Sequence, residues 1–407
     1  MNIRHVVVVC AAALCQTSAW AQLGGKVYID FGGATNSPLG AVTPLSVAGF
    51  TGLTAADLPA LKAAIMTRLQ TAFSTFDVTI TDTVPFEDYT RMTIGSSAAS
   101  TLNAFGVADE IDFRNKRKDN VGAVRTDLMT SSPGFMQSTL ANYAQMVANI
   151  AAHEIGHTLG LTHSDPISTF VASNGGGGAG VQSAEIMRSA VAAFNGTREY
   201  APVSFGTYSR QKLVMSTQGV NVQTEGAAAA FLTPFTADPN RSGDAGSLIA
   251  TARELNFDTN NNDVVLGFVG GDSDCFKLTV PEGTFITAEL FSTILVAQQV
   301  PLGVGRITTP IDAILQIVDS NNLVLATETY GSNLDIDGVN GADNGTDKLI
   351  YRFAVPAAGT YGIRVRNAAQ FGNGGSYELY VNIPAPGSAS ILAFGGMAAA
   401  RRRRVRR

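Results

Sequence analysis

The sequence contains little cysteine, little histidine and little charge. Its 407 residues include three cysteines and four histidines, and 15% of them are charged. Modest charge together with 45% hydrophobic residues is typical of a soluble globular protein with ample core, and the length predicts two or three domains. The scarcity of cysteine argues against a disulfide-stabilised protein, and the scarcity of positive charge argues against a nucleic-acid-binding protein.

Two of the three cysteines, Cys10 and Cys15, lie in an N-terminal segment with a short basic start, an apolar stretch and a small-x-small site at residues 19–21. This pattern predicts a secretory signal peptide over residues 1–21, too short in its apolar part to span a membrane with comfort. Cleavage leaves Cys275 alone, which excludes an internal disulfide. Export without disulfides fits a bacterial exoprotein stabilised by its core, a metal or calcium.

Seven of the 28 lysines and arginines lie in the leader and the C-terminal tail. Without Arg4 in the leader and the six arginines of the C-terminal tail, which carry no acidic residues, the formal net charge falls from −5 to −12. A surface of this sign is a poor partner for nucleic acid.

The tail, residues 384–407, consists of three segments of different composition. Pro384-Ala385-Pro386 precedes about fourteen small or apolar residues and then the arginine cluster. The order resembles the PEP-CTERM sorting signal of Gram-negative bacteria, with Pro-Ala-Pro in place of the Pro-Glu-Pro of the family name. The resemblance implies brief membrane association, processing by an exosortase-like enzyme after signal peptidase, and a secreted, extracellular or cell-surface location. The alternative, a basic nucleic-acid-binding tail, would not need the apolar block.

Three of the four histidines fall within residues 153–163, "HEIGHTLGLTH". On a helix His153 and His157 project from one face, Glu154 lies beside them, and Gly160 can take the positive φ that would return His163 to the same point. Three neutral imidazoles suit Zn²⁺ and leave one position for a water, whose pKa drops to roughly 7. A neighbouring carboxylate can then take the proton as that water attacks a carbonyl. Single histidines are more often structural, but chance rarely produces this whole string.

The string resembles the long zinc signature of the metzincin metallopeptidases. The resemblance implies zinc ligation by His153, His157 and His163, Glu154 as the general base, and a methionine-containing turn beneath the metal. Met187 in "AEIMRSA" is the candidate for that turn, and a gap-filling core methionine is the alternative. By this resemblance, residues 22–220 form an α+β catalytic domain, a mixed sheet with an active-site helix.

The chain also departs from the known metzincin subfamilies. Ser164 and Asp165 after the third histidine look most like matrixins, but the stretch to Met187 is longer and contains "NGGGGAG". No cysteine stands where it could block a metal, so latency by a cysteine switch is not expected.

Periodicity predicts the elements of the first domain. Strands are expected at "KVYIDF", "DVTIT", "GVADEIDF" and "VGAVRTD", with one helix starting near Asp57 and a second over about residues 138–159 that carries the metal site. Residues 121–126 are the candidate upper rim of a cleft, where an extended peptide would add to a free edge; an interior strand is the alternative.

After a predicted linker at 221–245, residues 246–383 read as an all-β sandwich. Strands are expected at "CFKLTV", "FITAEL", "AILQIVD", "LVLATE", "KLIYRFAV", "TYGIRV" and "SYELYV". The stretches "GDSDCFKLTV" and "AAGTYGIRV" resemble the bacterial pre-peptidase C-terminal domain, which implies an accessory module after a secreted peptidase.

Acid-rich turns in this second region supply the hard oxygen ligands that Ca²⁺ prefers, and solvated turn formers are the alternative. The candidate calcium ligands are Asp272, Asp274, Asp335, Asp337 and Asp343.

The sequence therefore predicts a secreted zinc endopeptidase acting on protein or peptide substrates. The alternatives are a cell-surface or matrix adhesion protein with a non-catalytic zinc domain, and a zinc deacetylase or aminopeptidase. Glu154 favours an enzyme, because a structural zinc site has no need of it.

The tail generates a prediction that is independent of the enzyme. Since about fourteen apolar residues are short for a stable anchor, which needs about twenty, the tail should hold the chain only until it is cleaved. Mass spectrometry of the extracellular protein from the native host should find the segment after about Ile383 missing. An extracellular protein that still ends in Arg407 would contradict the sorting interpretation.

Overall fold

The structure is a computed structural model and describes fourteen stretches of the chain: 24–100, 104–109, 111–112, 115, 118–131, 139–161, 186–187, 204–218, 222–224, 245–269, 272–291, 313–328, 348–367 and 375–383. The predicted signal peptide, His163 and the sorting tail lie outside them. Within the described residues the protein is a mixed α and β structure with three sheets and few helices.

The first sheet has six strands. They are β1 (Gly25–Asp30), β2 (Thr43–Pro44), β3 (Val78–Thr81), β4 (Thr90–Ser96), β5 (Gly106–Ala108) and β6 (Val121–Arg125). The order is β3-β1-β4-β6-β5, with β2 paired to β4. Strands β1, β3, β4 and β6 are parallel, while β2 and β5 run antiparallel to their neighbours.

Strand β6 is an interior strand, since it pairs with β4 on one side and β5 on the other. The prediction that 121–126 forms a free rim is therefore wrong, and its alternative holds. The edge of the sheet on this side is β5, which occupies only the first three residues of the predicted strand "GVADEIDF".

Within the described stretches, four α-helices accompany the sheets: α1 (Leu58–Phe73), α2 (Thr126–Ser131), α3 (Leu140–Thr158) and α4 (Thr207–Gln218). Helix α1 buries Leu61, Ile65, Leu69 and Phe73 at helical spacing. It packs beside α3 over the first sheet, and both helices contribute to one apolar core. Helix α3 begins where the Thr139 hydroxyl accepts a hydrogen bond from the backbone of Asn142.

The β-rich region consists of two five-stranded sheets. Its strands are β7 (Val222–Thr224), β8 (Arg253–Glu254), β9 (Asn262–Val269), β10 (Ser273–Val280), β11 (Phe285–Phe291), β12 (Ala313–Val318), β13 (Val324–Thr327), β14 (Lys348–Ala354), β15 (Gly359–Asn367) and β16 (Gly375–Asn382). One sheet has the order β13-β12-β15-β10-β8 and the other β14-β11-β16-β9-β7. Apolar side chains from both sheets meet in one core, so the sheets pack face to face. All seven strands predicted here are present.

Strand β7, at the start of the predicted linker, pairs in parallel with β9, so the linker contributes a strand to the second sheet of the sandwich.

The Cys275 side chain is fully buried, and burial raises the pKa of its thiol to about 11. It is therefore a neutral core thiol at physiological pH. No helix within the described residues is long and apolar enough to cross a bilayer.

Candidate metal centre

Helix α3 brings His153 and His157 together on its buried face, where they are 6% and 4% exposed. Their Nε2 atoms are 3.1 Å apart, and the rings are nearly perpendicular. The Nδ1 of His153 is 2.7 Å from the carbonyl oxygen of Ile186, and the Nδ1 of His157 is 2.8 Å from that of Leu161. A carbonyl oxygen only accepts, so each Nδ1 carries a proton.

This tautomer decides what can lie between the rings. With Nδ1 protonated, the Nε2 of each neutral imidazole is an acceptor, and two acceptors this close repel unless a cation or a proton lies between them. The separation is close to the roughly 3.3 Å expected for two nitrogens bound to one tetrahedral zinc. A backbone carbonyl on the second ring nitrogen is one of the usual partners of metal-bound histidines, together with carboxylates and water. The two histidines thus fit a metal ion, and a proton shared by an imidazolium and an imidazole is the other chemistry that fits.

Gly160 shapes the exit from α3. Its φ is +94°, a left-handed conformation that a residue with a side chain rarely adopts. The turn is closed by hydrogen bonds from the backbone N–H of Gly160 to His157 and of Leu161 to Gly156. It delivers the Leu161 carbonyl to the His157 ring. Gly160 thus orients a candidate ligand, a role that its spacing in the sequence did not reveal.

Met187 lies against the same helix and is fully buried. A Cβ added to Gly156 would be 2.4 Å from the Met187 sulfur, so the methionine occupies the space that the glycine leaves. The preceding residue, Ile186, supplies the carbonyl that orients His153. Its own N–H donates to the Ser204 carbonyl at 3.1 Å, which ties this turn to the segment before α4.

The Glu154 side chain points toward β5, at one edge of the first sheet. It is 6% exposed, and a Cβ added to Gly106 of β5 would be 2.5 Å from its Oε1 atom. The carboxylate therefore lies directly against the edge strand at a position where only glycine leaves room. The sequence analysis did not identify Gly106, because its role depends on this contact.

The C-terminal end of α3 is held by the loop between β5 and β6. The backbone N–H of Asp112 donates to the His157 carbonyl at 3.1 Å. The Asn120 side chain donates to the Asp112 carboxylate at 2.9 Å and to the Thr158 carbonyl at 3.3 Å. In the same loop, burial lowers the pKa of Lys118 to about 8, although the Asp112 and Asp77 carboxylates oppose the shift. Asp112 and Asn120 thus add hydrogen-bond partners to carbonyls at the end of the helix.

The other predicted metal ligands do not join His153 and His157 within the described residues. Within the residues the structure describes, no three His, Cys, Asp or Glu side chains come close enough to hold a metal, and the third candidate ligand, His163, lies outside them. Asp272 is exposed near Ser247, whereas Asp274 is buried and accepts a 2.7 Å hydrogen bond from the Tyr377 hydroxyl. The remaining calcium candidates, Asp335, Asp337 and Asp343, also fall outside the described residues.

No family model matches the chain, and no curated protein matches it. Solved structures similar to 32% of the chain include periplasmic inhibitors of g-type lysozyme from Aeromonas hydrophila (15% identity, 94% of that chain covered, TM-score 0.21) and Salmonella Typhimurium (17%, 95%, 0.20). A pre-peptidase C-terminal domain of a Bacillus anthracis collagenase is similar to the same extent (16%, 93%, 0.21). Likeness at this level carries no conclusion about ligand or activity.

The contact between Gly156 and Met187 predicts that Gly156→Ala destabilises the protein, whereas helix propensity alone would predict stabilisation. Gly156→Ala should gain up to about 1 kcal/mol of helix propensity but lose about 1–3 kcal/mol through overpacking against the methionine. We expect a net loss of stability in urea denaturation. With Met187→Ala as the background, the same substitution should stabilise the protein. A stabilising Gly156→Ala in the wild-type background would contradict this packing.

Proposed function

We propose that the protein is a secreted zinc-dependent endopeptidase of the metzincin type. The observation that supports it is the pair of buried imidazoles whose Nδ1 protons are held by the Ile186 and Leu161 carbonyls, so that both Nε2 atoms face one point. His153 and His157 would hold the ion, with His163 from the chain beyond the glycine turn as the third ligand. Zinc, when bound, supplies a Lewis acid for the water and for the substrate carbonyl.

Glu154 is the general base of this proposal. It neighbours His153 in the chain and lies at the sheet edge, so it can take a proton from the attacking water and return it to the leaving amine. Its burial limits competing water and strengthens its interaction with charge that develops nearby.

Strand β5 would position the substrate. Within the described residues it is one of the two edge strands of the first sheet, runs antiparallel to β6 and touches Glu154 through Gly106. An extended peptide that adds to this edge would bring its backbone past the carboxylate. Binding through backbone hydrogen bonds suits an endopeptidase, because it needs no free chain terminus.

The rest of the chain fits export. The proposal assigns residues 1–21 to signal peptidase and the tail to an exosortase-like enzyme, and it places the mature protein outside the cell or on its surface. The sandwich would be an accessory module of the pre-peptidase C-terminal type. Calcium at its acid-rich turns remains a secondary part of the proposal.

The decisive variant is Glu154→Gln in the protein spanning residues 22–383. Because the substitution removes the base but no zinc ligand, turnover of casein or gelatin should fall by about 10²–10⁴-fold, the usual contribution of general acid–base catalysis. Metal analysis should find about one zinc per chain in both proteins. Glu282→Ala, an exposed glutamate in a turn of the sandwich, is the control and should retain full turnover.

Three results would count against the proposal. Equal turnover by wild type and Glu154→Gln would remove Glu154 from the mechanism. Inactivity of the wild type across a wide peptide library, with zinc bound, would favour the adhesive alternative. Stoichiometric, tightly held zinc in His163→Ala would exclude His163 as the third ligand.

A further inference from the structure

Helix α4 lies between the first domain and the β-sandwich and contacts both. We propose that the sandwich stabilises the metal centre through this helix, and that Glu289 of β11 is a positioning residue for His153. The inference rests on the proposed zinc function, but it concerns the role of the second domain. A detachable accessory module would not have this role.

The contact on the sandwich side is a buried ion pair. The Lys212 ammonium is 3.0 Å from the Glu289 Oε2 atom, with side chains only 1% and 4% exposed. The Tyr208 hydroxyl donates to the same oxygen at 2.7 Å. Tyr208 and Lys212 are four residues apart, so they project from one face of α4. Both therefore converge on one carboxylate of the sandwich.

Several aromatic rings lie close to this ion pair. The Lys212 ammonium lies 5.3 Å from the ring centre of Phe291 and 5.6 Å from that of Tyr208. The Tyr208 ring packs against Tyr351 and Tyr380 of the same sheet. The ammonium is thus buried beside two aromatic rings, where the Glu289 carboxylate stabilises its charge.

The other face of α4 belongs to the first domain. Leu213 is fully buried in the core that also contains α1 and α3. Phe205, two residues before the helix, packs on Phe73 and Phe76, with ring centres 5.1 and 5.9 Å apart. The position of α4 is therefore fixed from both sides.

A short chain of hydrogen bonds continues from the start of α4 to the metal centre. Ser204, three residues before the helix, accepts the Ile186 N–H at 3.1 Å. Ile186 in turn accepts the His153 Nδ1–H at 2.7 Å. A shift of α4 would move the Ser204 carbonyl, and with it the carbonyl that orients the His153 ring.

Loss of one charge of the pair should produce such a shift. Removing one partner of a buried ion pair is strongly unfavourable, whereas removing both charges is often nearly neutral. In Glu289→Gln, Lys212 would be drawn toward water and would displace the helix that carries it. In the double variant Lys212→Met/Glu289→Gln, the helix has no reason to move.

The experiment measures zinc release to a chromogenic chelator, below the unfolding temperature of every protein compared. Partners one hydrogen bond beyond a metal ligand typically alter affinity 10–100-fold, so we expect release from Glu289→Gln to be roughly tenfold faster than from wild type. The double variant should return close to the wild-type rate. Ile286→Val, a core change on the same strand, is the control for general destabilisation of the sandwich and should release zinc at the wild-type rate.

The outcomes separate this inference from the proposed function. Wild-type protein that binds no zinc would overturn both. Zinc-loaded wild type and folded Glu289→Gln with equal release rates would overturn the inference alone, as would a double variant that releases zinc as fast as Glu289→Gln. If Glu289→Gln does not fold, Tyr208→Phe decides: faster release than from Ile286→Val supports the inference, and an equal rate overturns it.

Discussion

The orientation of the two imidazoles on α3 depends on one interaction: each ring donates its Nδ1 proton to a backbone carbonyl. Ile186 and Leu161 supply these carbonyls, and together they direct the Nε2 atoms of His153 and His157 to a common point. The two rings could otherwise reduce their mutual repulsion by flipping or changing tautomer. Because backbone carbonyls hold both rings, their Nε2 atoms stay directed toward one point.

Much of the surrounding structure serves to place those two carbonyls and the neighbouring carboxylate. The positive φ of Gly160 delivers one carbonyl, and the Ser204 hydrogen bond fixes the residue that provides the other. Gly106 lets Glu154 of the same helix lie against the sheet edge. The glycines act by allowing close approach or a left-handed turn, and neither effect depends on the helix propensity of the segment.

The sequence predicted those elements whose pattern is local. Helix α3 and the sandwich strands follow from apolar periodicity and turn residues, and the structure confirms them. Strand β4, in the middle of the first sheet, escaped prediction because Thr93 and Gly95 interrupt its apolar run, and Gly95 is required where the Thr43 carbonyl approaches it. Helix α4 was not predicted because a lysine such as Lys212 normally indicates a solvent-exposed position, and its buried carboxylate partner lies far away in the sequence. Contacts between residues far apart in the chain set these features, and local periodicity carries no record of them.

X-ray absorption at the zinc edge of the purified protein tests whether His153 and His157 bind zinc. The proposed site should show nitrogen and oxygen ligands at about 2.0–2.1 Å with the outer scattering of imidazole rings, and His153→Ala should lose bound zinc. A sulfur ligand at about 2.3 Å, or zinc retained at full occupancy in His153→Ala, would contradict it.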